Sequence, residues 1–240
     1  MLFRSASNVK GLTIDGIDFV GGRYSASAKM ISLFRSGNIK ITNCRFHAGR
    51  KRKMGNLHIY GRYIKGIEVR NCVFDTGFHS LWLMESGDVV VDHNTFWGIG
   101  INAMHIGGGD GEKVTITNNL CEDVVANHLS PAISVGHNKT KLVCDWNLYW
   151  FTKKRCPKQK VFGLGGKLGI HSVGQVMQRD AYVTIEECRK HYGVEKNGLF
   201  ADPKMVDPAN GNFALAPDSP ARKRGSDGKD IGADLSVWAK

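Results

Sequence analysis

The sequence predicts an all-β protein, a parallel β-helix of about six rungs. Three observations carry this expectation. First, a phrase recurs as GLTIDGIDF (11–19), NIKITNCRF (38–46), GIEVRNCVF (66–74), DVVVDHNTF (88–96), KVTITNNLC (113–121) and KLVCDWNLY (141–149). Second, its last residues lie 27, 28, 22, 25 and 28 positions apart, a period typical of solenoids. Third, each phrase alternates apolar and polar residues as a strand does, and no unit carries a long helical pattern. Leucine-rich repeats share the period, but their Leu-x-x-Leu-x-Leu frame is missing, so stacked strands fit better.

The strand inside the phrase fixes its own register. Leu12/Ile14, Ile39/Ile41, Ile67/Val69, Val89/Val91, Val114/Ile116 and Leu142/Cys144 occupy alternate positions and all are apolar. A slip of one residue would turn the whole set outward. The outward neighbours, such as Lys40, Glu68, Arg70, Asp92 and Thr117, are mostly polar. After the strand, Asn94, Asn119 and Asn147 share one column with Cys44 and Cys72. Stacked Asn side chains can hydrogen-bond along the axis as a ladder, and the two cysteines read as buried thiols in preference to a disulfide. Phe19, Phe46, Phe74, Phe96, Cys121 and Tyr149 then form a mostly aromatic core stack.

A second strand precedes each phrase: ISLF (31–34), LHIY (57–60), LWLM (81–84), MHIG (104–107) and ISVG (133–136). With the aliphatic residues inward, the outward columns become Ser32, His58, Trp82, His105, Ser134 and Phe34, Tyr60, Met84, Gly107, Gly136. Just past the strand come Arg35, Glu85 and His137, then Asp110 and Lys139. The stretch 78–106 concentrates His79, Trp82, Glu85 and His105. An exposed aromatic strip of this kind usually has a partner. With rungs ~4.8 Å apart, four span roughly 14 Å, room for about three sugar rings. The alternative is that the segment 151–180 covers the strip. His58 and His105, two rungs or roughly 9.6 Å apart, are too distant to share one metal.

Beyond Tyr149 the phrase stops. Residues 151–180 read as a basic, Gly-rich excursion lying against the solenoid. Thr184–Tyr192, TIEECRKHY, reads as a short helix, with Thr184 as N-cap and Glu187 completing a capping box. Leu199–Ala233 reads as a loop-rich tail covering the open end of the solenoid. The organisation expected is therefore rungs over 1–150, and an excursion, helix and capping tail packed on the same solenoid over 151–240.

Bulk properties narrow the function. The chain has 240 residues, a 42% apolar fraction, 29 Gly and 6 Pro, which suits tight turns and a sizeable core. No apolar run approaches the length of a membrane-crossing helix, and no membrane partner is expected. The opening MLFRSASNVKG lacks the apolar stretch and cleavage site of a signal peptide. The net charge is +11, with a run of seven cations and no acid from Arg45 to Lys65 and a second cluster over Lys153–Lys160. Such an excess attracts polyanions. Nucleic acid rests on charge alone and is not the expected partner. Six cysteines without a CxxC pair argue against a zinc ribbon.

The order NLYW, TIEECRKHYG, LFADPKMVDPANGNFALAPDSPA and DIGA resembles the end of secreted bacterial right-handed parallel β-helix proteins of the pectate-lyase-like superfamily. The closing phrase is carried by Ala201, Asp202, Pro203, Val206, Asp207, Phe213, Leu215, Ser219, Pro220, Gly225, Asp230, Ile231 and Gly232. The resemblance implies a right-handed helix, an extracellular or periplasmic location and a polysaccharide substrate. It also implies a C-terminal portion of a longer enzyme, because members usually have a signal peptide, an N-terminal capping helix and more rungs. It does not choose the chemistry.

A lyase needs a base, for which His58, Tyr60, His105, Arg35 and Lys139 are available, and a group neutralising the uronate, often Ca²⁺ held by carboxylates. No Asp/Glu cage is visible, so calcium is admitted but not required, and no metal ligand is assigned. A glycosidase needs two carboxyls about 5–5.5 Å or ~6.5–9.5 Å apart; Glu85 and Asp110 are the pair, with Asp88 and Glu112 in reserve. The site expected is Glu85, Asp110, His58 and His105 for catalysis, with Tyr60, Trp82, Phe34, Arg35, His137 and Lys139 for binding. The expected function is cleavage of a polysaccharide, an acidic one included, by a monomer. The alternative is a non-catalytic carbohydrate-binding or structural β-helix of the tailspike or adhesin kind.

Overall fold

The alternation in the repeated phrase becomes a parallel six-stranded sheet. Thr13–Asp15, Gly37–Thr42, Lys65–Arg70, Gly87–Asp92, Lys113–Thr117 and Lys141–Asp145 stack in chain order. The computed structural model describes residues 5–21, 28–47, 56–107, 113–124, 131–136, 141–152, 160–165 and 182–238. Ile39, Ile67, Val89, Val114 and Leu142 stand in register, as do Ile41, Val69, Val91, Ile116 and Cys144. The predicted inward set is the core set. All of these but Leu142 are buried, and Leu142 packs against the same core.

A thirteen-stranded sheet, parallel except where Tyr182–Val183 pairs antiparallel with Phe162–Gly165, forms the other sides of the coil. Val73–Met84 and Thr95–Gly107 run through both sides: Val73–Asp75 pairs with Arg45–His47, and His79–Met84 with Leu57–Arg62. The result is a parallel β-solenoid of about four turns, fewer than the six expected. The six-stranded sheet also counts incomplete end turns, whose first strands, Ala6–Ser7, Thr13–Asp15 and Asp18–Val20, are only two or three residues long.

The corner after each strand of the six-stranded sheet passes through a left-handed residue: Gly16 after the first, at φ 66°, then Asn43, Asn71, His93, Asn118 and Trp146, with φ between 51° and 57°. Asn tolerates this conformation better than most residues. The predicted ladder follows. Asn94 Nδ2 donates to Asn119 Oδ1 at 3.0 Å, and Asn119 Nδ2 to Asn147 Oδ1 at 3.0 Å. Each of the three amides also bonds a backbone carbonyl of a neighbouring rung, Val69, Val91 or Ile116. Cys44 and Cys72 are buried free thiols donating to backbone carbonyls. Behind them Phe19, Phe46, Phe74 and Phe96 stack with centroids 4.7, 4.9 and 4.8 Å apart and nearly parallel rings.

The ladder ends on a residue the repeat pattern does not contain. Glu195 is buried, and its Oε1 accepts from Asn147 Nδ2 (2.7 Å), the Tyr149 hydroxyl (2.7 Å) and Cys144 Sγ (3.0 Å). Gly198 makes room for it, since a Cβ there would sit 2.2 Å from Glu195 Oε2. Burial pushes this carboxyl up, against the opposing pull of its donors Cys144, Tyr149 and Asn147.

The expected helix is present, with its Thr184–Glu187 capping box intact. It is an α-turn, Ile185–Glu187, continuing as the π-helical Cys188–Tyr192. Ile185 and Cys188 join the core. Leu199–Phe200 extends the last rung by pairing with Leu148–Trp150. Most of the tail, however, does not cover the open end. It turns back along the flank, crossing the corner column in reverse order. Asn118 Oδ1 accepts from Ser226 N, Asp234 N donates to Asn71, and Trp238 Nε1 donates to Asn43 O at 2.8 Å. The left-handed corners leave side-chain amides and carbonyls facing outward, and the tail satisfies them. A second difference lies in the excursion: Phe162–Gly165 adds a parallel strand on Ile133–Gly136, so strand stacking continues past Tyr149. Residues 153–159 and 166–180, expected to lie against the solenoid or over the Trp82 strip, are outside the described residues.

Candidate functional site

The strands preceding each phrase present one outer face, and the pairing places Ser32, Tyr60, Trp82, His105 and Ser134 in a single column. This corrects the expected column at one rung. Ile59, not Leu57, stands opposite Ile31 and Leu81, and Gly61 takes the inward position opposite Leu33 and Leu83. The expected alignment sought an aliphatic pair in every rung. Here Leu83 and Ile64 already fill the space, lying 2.8 and 2.9 Å from where a Gly61 Cβ would be.

The two-residue shift moves His58 out of the face. It is fully buried, its ring 5.6 Å from Phe74 and 6.0 Å from Phe46, with Nδ1 3.3 Å from Ser80 Oγ. Met30, His58 and Ser80 precede the inward aliphatics and are buried as well, where the chain passes from one side of the coil to the next. Burial lowers the His58 pKa to about 3. A neutral imidazole in the core has a defined linkage: stability is complete above the unfolded value of 6.5 and is lost as pH falls towards about 3, because the unfolded chain takes the proton first. His58→Phe should therefore flatten the decline of the unfolding midpoint between those pH values, measured by denaturant titration.

Around Trp82 the face is built from rings. The Trp82 ring lies 4.6 Å from His79 and 5.5 Å from His105. Lys29 Nζ sits 3.9 Å from the Tyr60 ring centroid, and the Tyr60 hydroxyl reaches Met84 Sδ at 3.7 Å. His79 is buried, its Nδ1 bonded to the buried Asn102 Oδ1. Burial lowers His79 to about 4, against the opposing Asn102 bond, and lowers His105 to about 4 with a contribution from His79. Both imidazoles are therefore neutral near neutral pH. Trp82 Nε1 and His79 Nε2 are buried and have no hydrogen-bond partner among the described residues. Such atoms typically cost about 1–3 kcal/mol each when unsatisfied.

The rim differs from the expectation in detail. Phe34 stands opposite Arg62, not Tyr60, and packs on Tyr63 at 5.6 Å, with the exposed Arg35 guanidinium 5.0 Å from its centroid. Arg62 donates to Glu85 at 2.9 Å, so this carboxylate is held by an ion pair. Asp110, Glu112, His137 and Lys139 lie outside the described residues. Among those described, no group of three or more His, Cys, Asp or Glu is placed to hold a metal ion.

Two further polar side chains lie outside the sequence-predicted set. Asn102 follows His79 by 23 residues, the same interval that separates Trp82 from His105, and that equality was the available signal. Glu122 stands in register between Trp97 and Trp150. Burial, then Asp123 and Asp202, push it up to about 7, a value at which a carboxyl can still give up a proton near neutrality. Nothing in its local sequence, LCED, marks it.

Residues 3–143 match the family described as "Right handed beta helix region". No curated protein matches the chain. The match covers more than half of the sequence and most of the stacked strands, so the chain belongs to the right-handed β-helix family.

Proposed function

We propose that the Trp82 face binds a carbohydrate chain and that this β-helix acts on a polysaccharide outside the cytoplasm. The observation that carries this is the column Tyr60–Trp82–His105 with His79 beside it: flat rings on successive rungs, and two buried ring nitrogens without a partner among the described residues. A sugar ring offers apolar C–H groups to an indole face and hydroxyls to an N–H donor and an imidazole acceptor. Access to both nitrogens requires the His79 and Trp82 rings to part enough to admit one hydroxyl. The neutral imidazoles supply base candidates in His79 and His105, which supports proton abstraction over a paired-carboxyl hydrolysis.

Trp82→Ala should weaken oligosaccharide binding by about 2 kcal/mol, roughly thirtyfold, while leaving the unfolding midpoint nearly unchanged. Calorimetric titration beside a melt checks both; loss of the fold would instead make Trp82 a core residue. A panel of neutral and uronate-rich polysaccharides, assayed for new reducing ends and for ultraviolet absorbance of an unsaturated uronate, tests cleavage. Both signals together mean β-elimination, and reducing ends alone mean hydrolysis. The second reading, binding without cleavage, draws on the Arg62–Glu85 ion pair, which occupies the carboxylate nearest the face. Neither signal from a sample that still binds would establish it.

A further inference from the structure

On the far side of the coil, where the last rung meets the tail, a cavity of about 420 Å³ opens to solvent. Trp146, Arg189, Lys196, Asn197, Lys223 and Arg224 line it, together with Gly198 and Leu199. Its cations come from three separate segments: Arg189 from the helix, Lys196 from the link after it, and Lys223 and Arg224 from the returning tail. No acid lines it. Asp145, beside Trp146 in the chain, is taken up by Asn197 N and Nδ2 at 2.7 and 2.9 Å and by Trp146 N at 2.9 Å. Glu195 turns its carboxylate into the Asn ladder. Lys196, Lys223 and Arg224 form no side-chain ion pair among the described residues.

One of the four cations is held in place, while Lys196, Lys223 and Arg224 are exposed. Arg189 is fixed by donating through Nε to Glu195 O (2.8 Å) and through an Nη to Gly198 O (2.6 Å). Those bonds use two of its five donors. Trp146 sits at a left-handed corner, at φ 55°, and is half-buried. A second cavity on the same flank, about 470 Å³, shares Lys223 with it but is lined by Asp230 and Asp234 beside Arg222 and Lys229. Like charges held together around one opening repel, and an oxyanion entering it removes the repulsion.

We infer that this cavity is a second ligand site, distinct from the Trp82 face, for a sugar ring bearing a sulfate or carboxylate. The indole supplies the wall for the ring and the four cations supply the partner for its anion. The volume falls in the usual range for small-ligand sites of about 300–1,000 Å³. A polysaccharide with acidic units would thus be held at two places on the coil.

The test is calorimetric titration, at fixed ionic strength, of a sulfated disaccharide, a uronate disaccharide, their neutral parent and a single-stranded DNA oligonucleotide of equal charge. Binding of either acidic sugar over the neutral parent is the expected result and says which anion is preferred. Lys196→Glu with Arg224→Glu should weaken it by about tenfold or more. The same titrations run in Trp82→Ala take out the Trp82 face, so the acidic-sugar binding that survives there belongs to this cavity, and failure here is separable from failure of the Trp82 reading. Equal affinity for the neutral parent, binding indifferent to the charge reversals, or DNA bound at least as tightly as the acidic sugars would each overturn the inference.

Discussion

Asn119→Ala is expected to cost about 3 kcal/mol or more of unfolding free energy, several times a typical surface substitution. The side chain is buried and bonded on every side. Its Oδ1 accepts from Asn94 N and Nδ2, and its Nδ2 donates to Val91 O, Thr117 O and Asn147 Oδ1. Alanine leaves the buried Asn94 backbone N–H unpaired and takes one donor from each of these oxygens, although Thr117 O and Asn147 Oδ1 keep His93 N and Asn119 N. Asn119→Asp is the sharper variant. It keeps the acceptor, removes the donors and buries a carboxylate with no cation against it, so it should be at least as damaging near neutral pH and partly rescued in acid. Denaturant titration at two pH values checks the sign; equal stability of both variants and the parent would show that the ladder is ornamental.

Phe74→Ala should cost about 3–5 kcal/mol, the range for emptying a large aromatic from a core. Phe74 is fully buried between Phe46 at 4.9 Å and Phe96 at 4.8 Å, and it also carries the His58 ring at 5.6 Å. The stack is one rung per ring, so a hole in the middle removes contacts from both neighbours, and the rigid coil on either side cannot collapse to fill it. Phe19→Ala, at the half-exposed end of the same stack, should cost clearly less. Comparable losses at both positions would contradict a continuous column.

The coil was legible in the sequence because its rules are local. Alternation and period fix which residues of the repeated phrase face inward, and Asn94, Asn119 and Asn147 announce their ladder by falling at one offset. The Thr184–Glu187 capping box was readable for the same reason. Legibility ended where a residue answers to a distant partner. Gly61 occupies an inward position because Leu83 and Ile64 fill its space, and the rung containing His58 and Tyr60 could not be registered without knowing that. Glu195, in an unremarkable VEKNG, closes a ladder that begins a hundred residues earlier. The tail's course along Asn118, Asn71 and Asn43 depends on corner amides whose outward direction is a property of the folded coil. The site was half legible: Trp82, His105 and His79 were visible in one stretch, whereas Asn102 and the true place of Tyr60 needed the pairing register.

The most direct measurement is a heteronuclear NMR titration of the five tryptophan indole N–H groups with an oligosaccharide, Trp82 being assigned from Trp82→Phe. The Trp82 N–H has no partner among the described residues, whereas the Trp238 N–H is already bonded to Asn43 O. The account predicts that the Trp82 resonance moves downfield on saturation and that Trp238 stays in place. A Trp82 resonance that does not move while oligosaccharide binds would place the ligand elsewhere and contradict the assignment of this face.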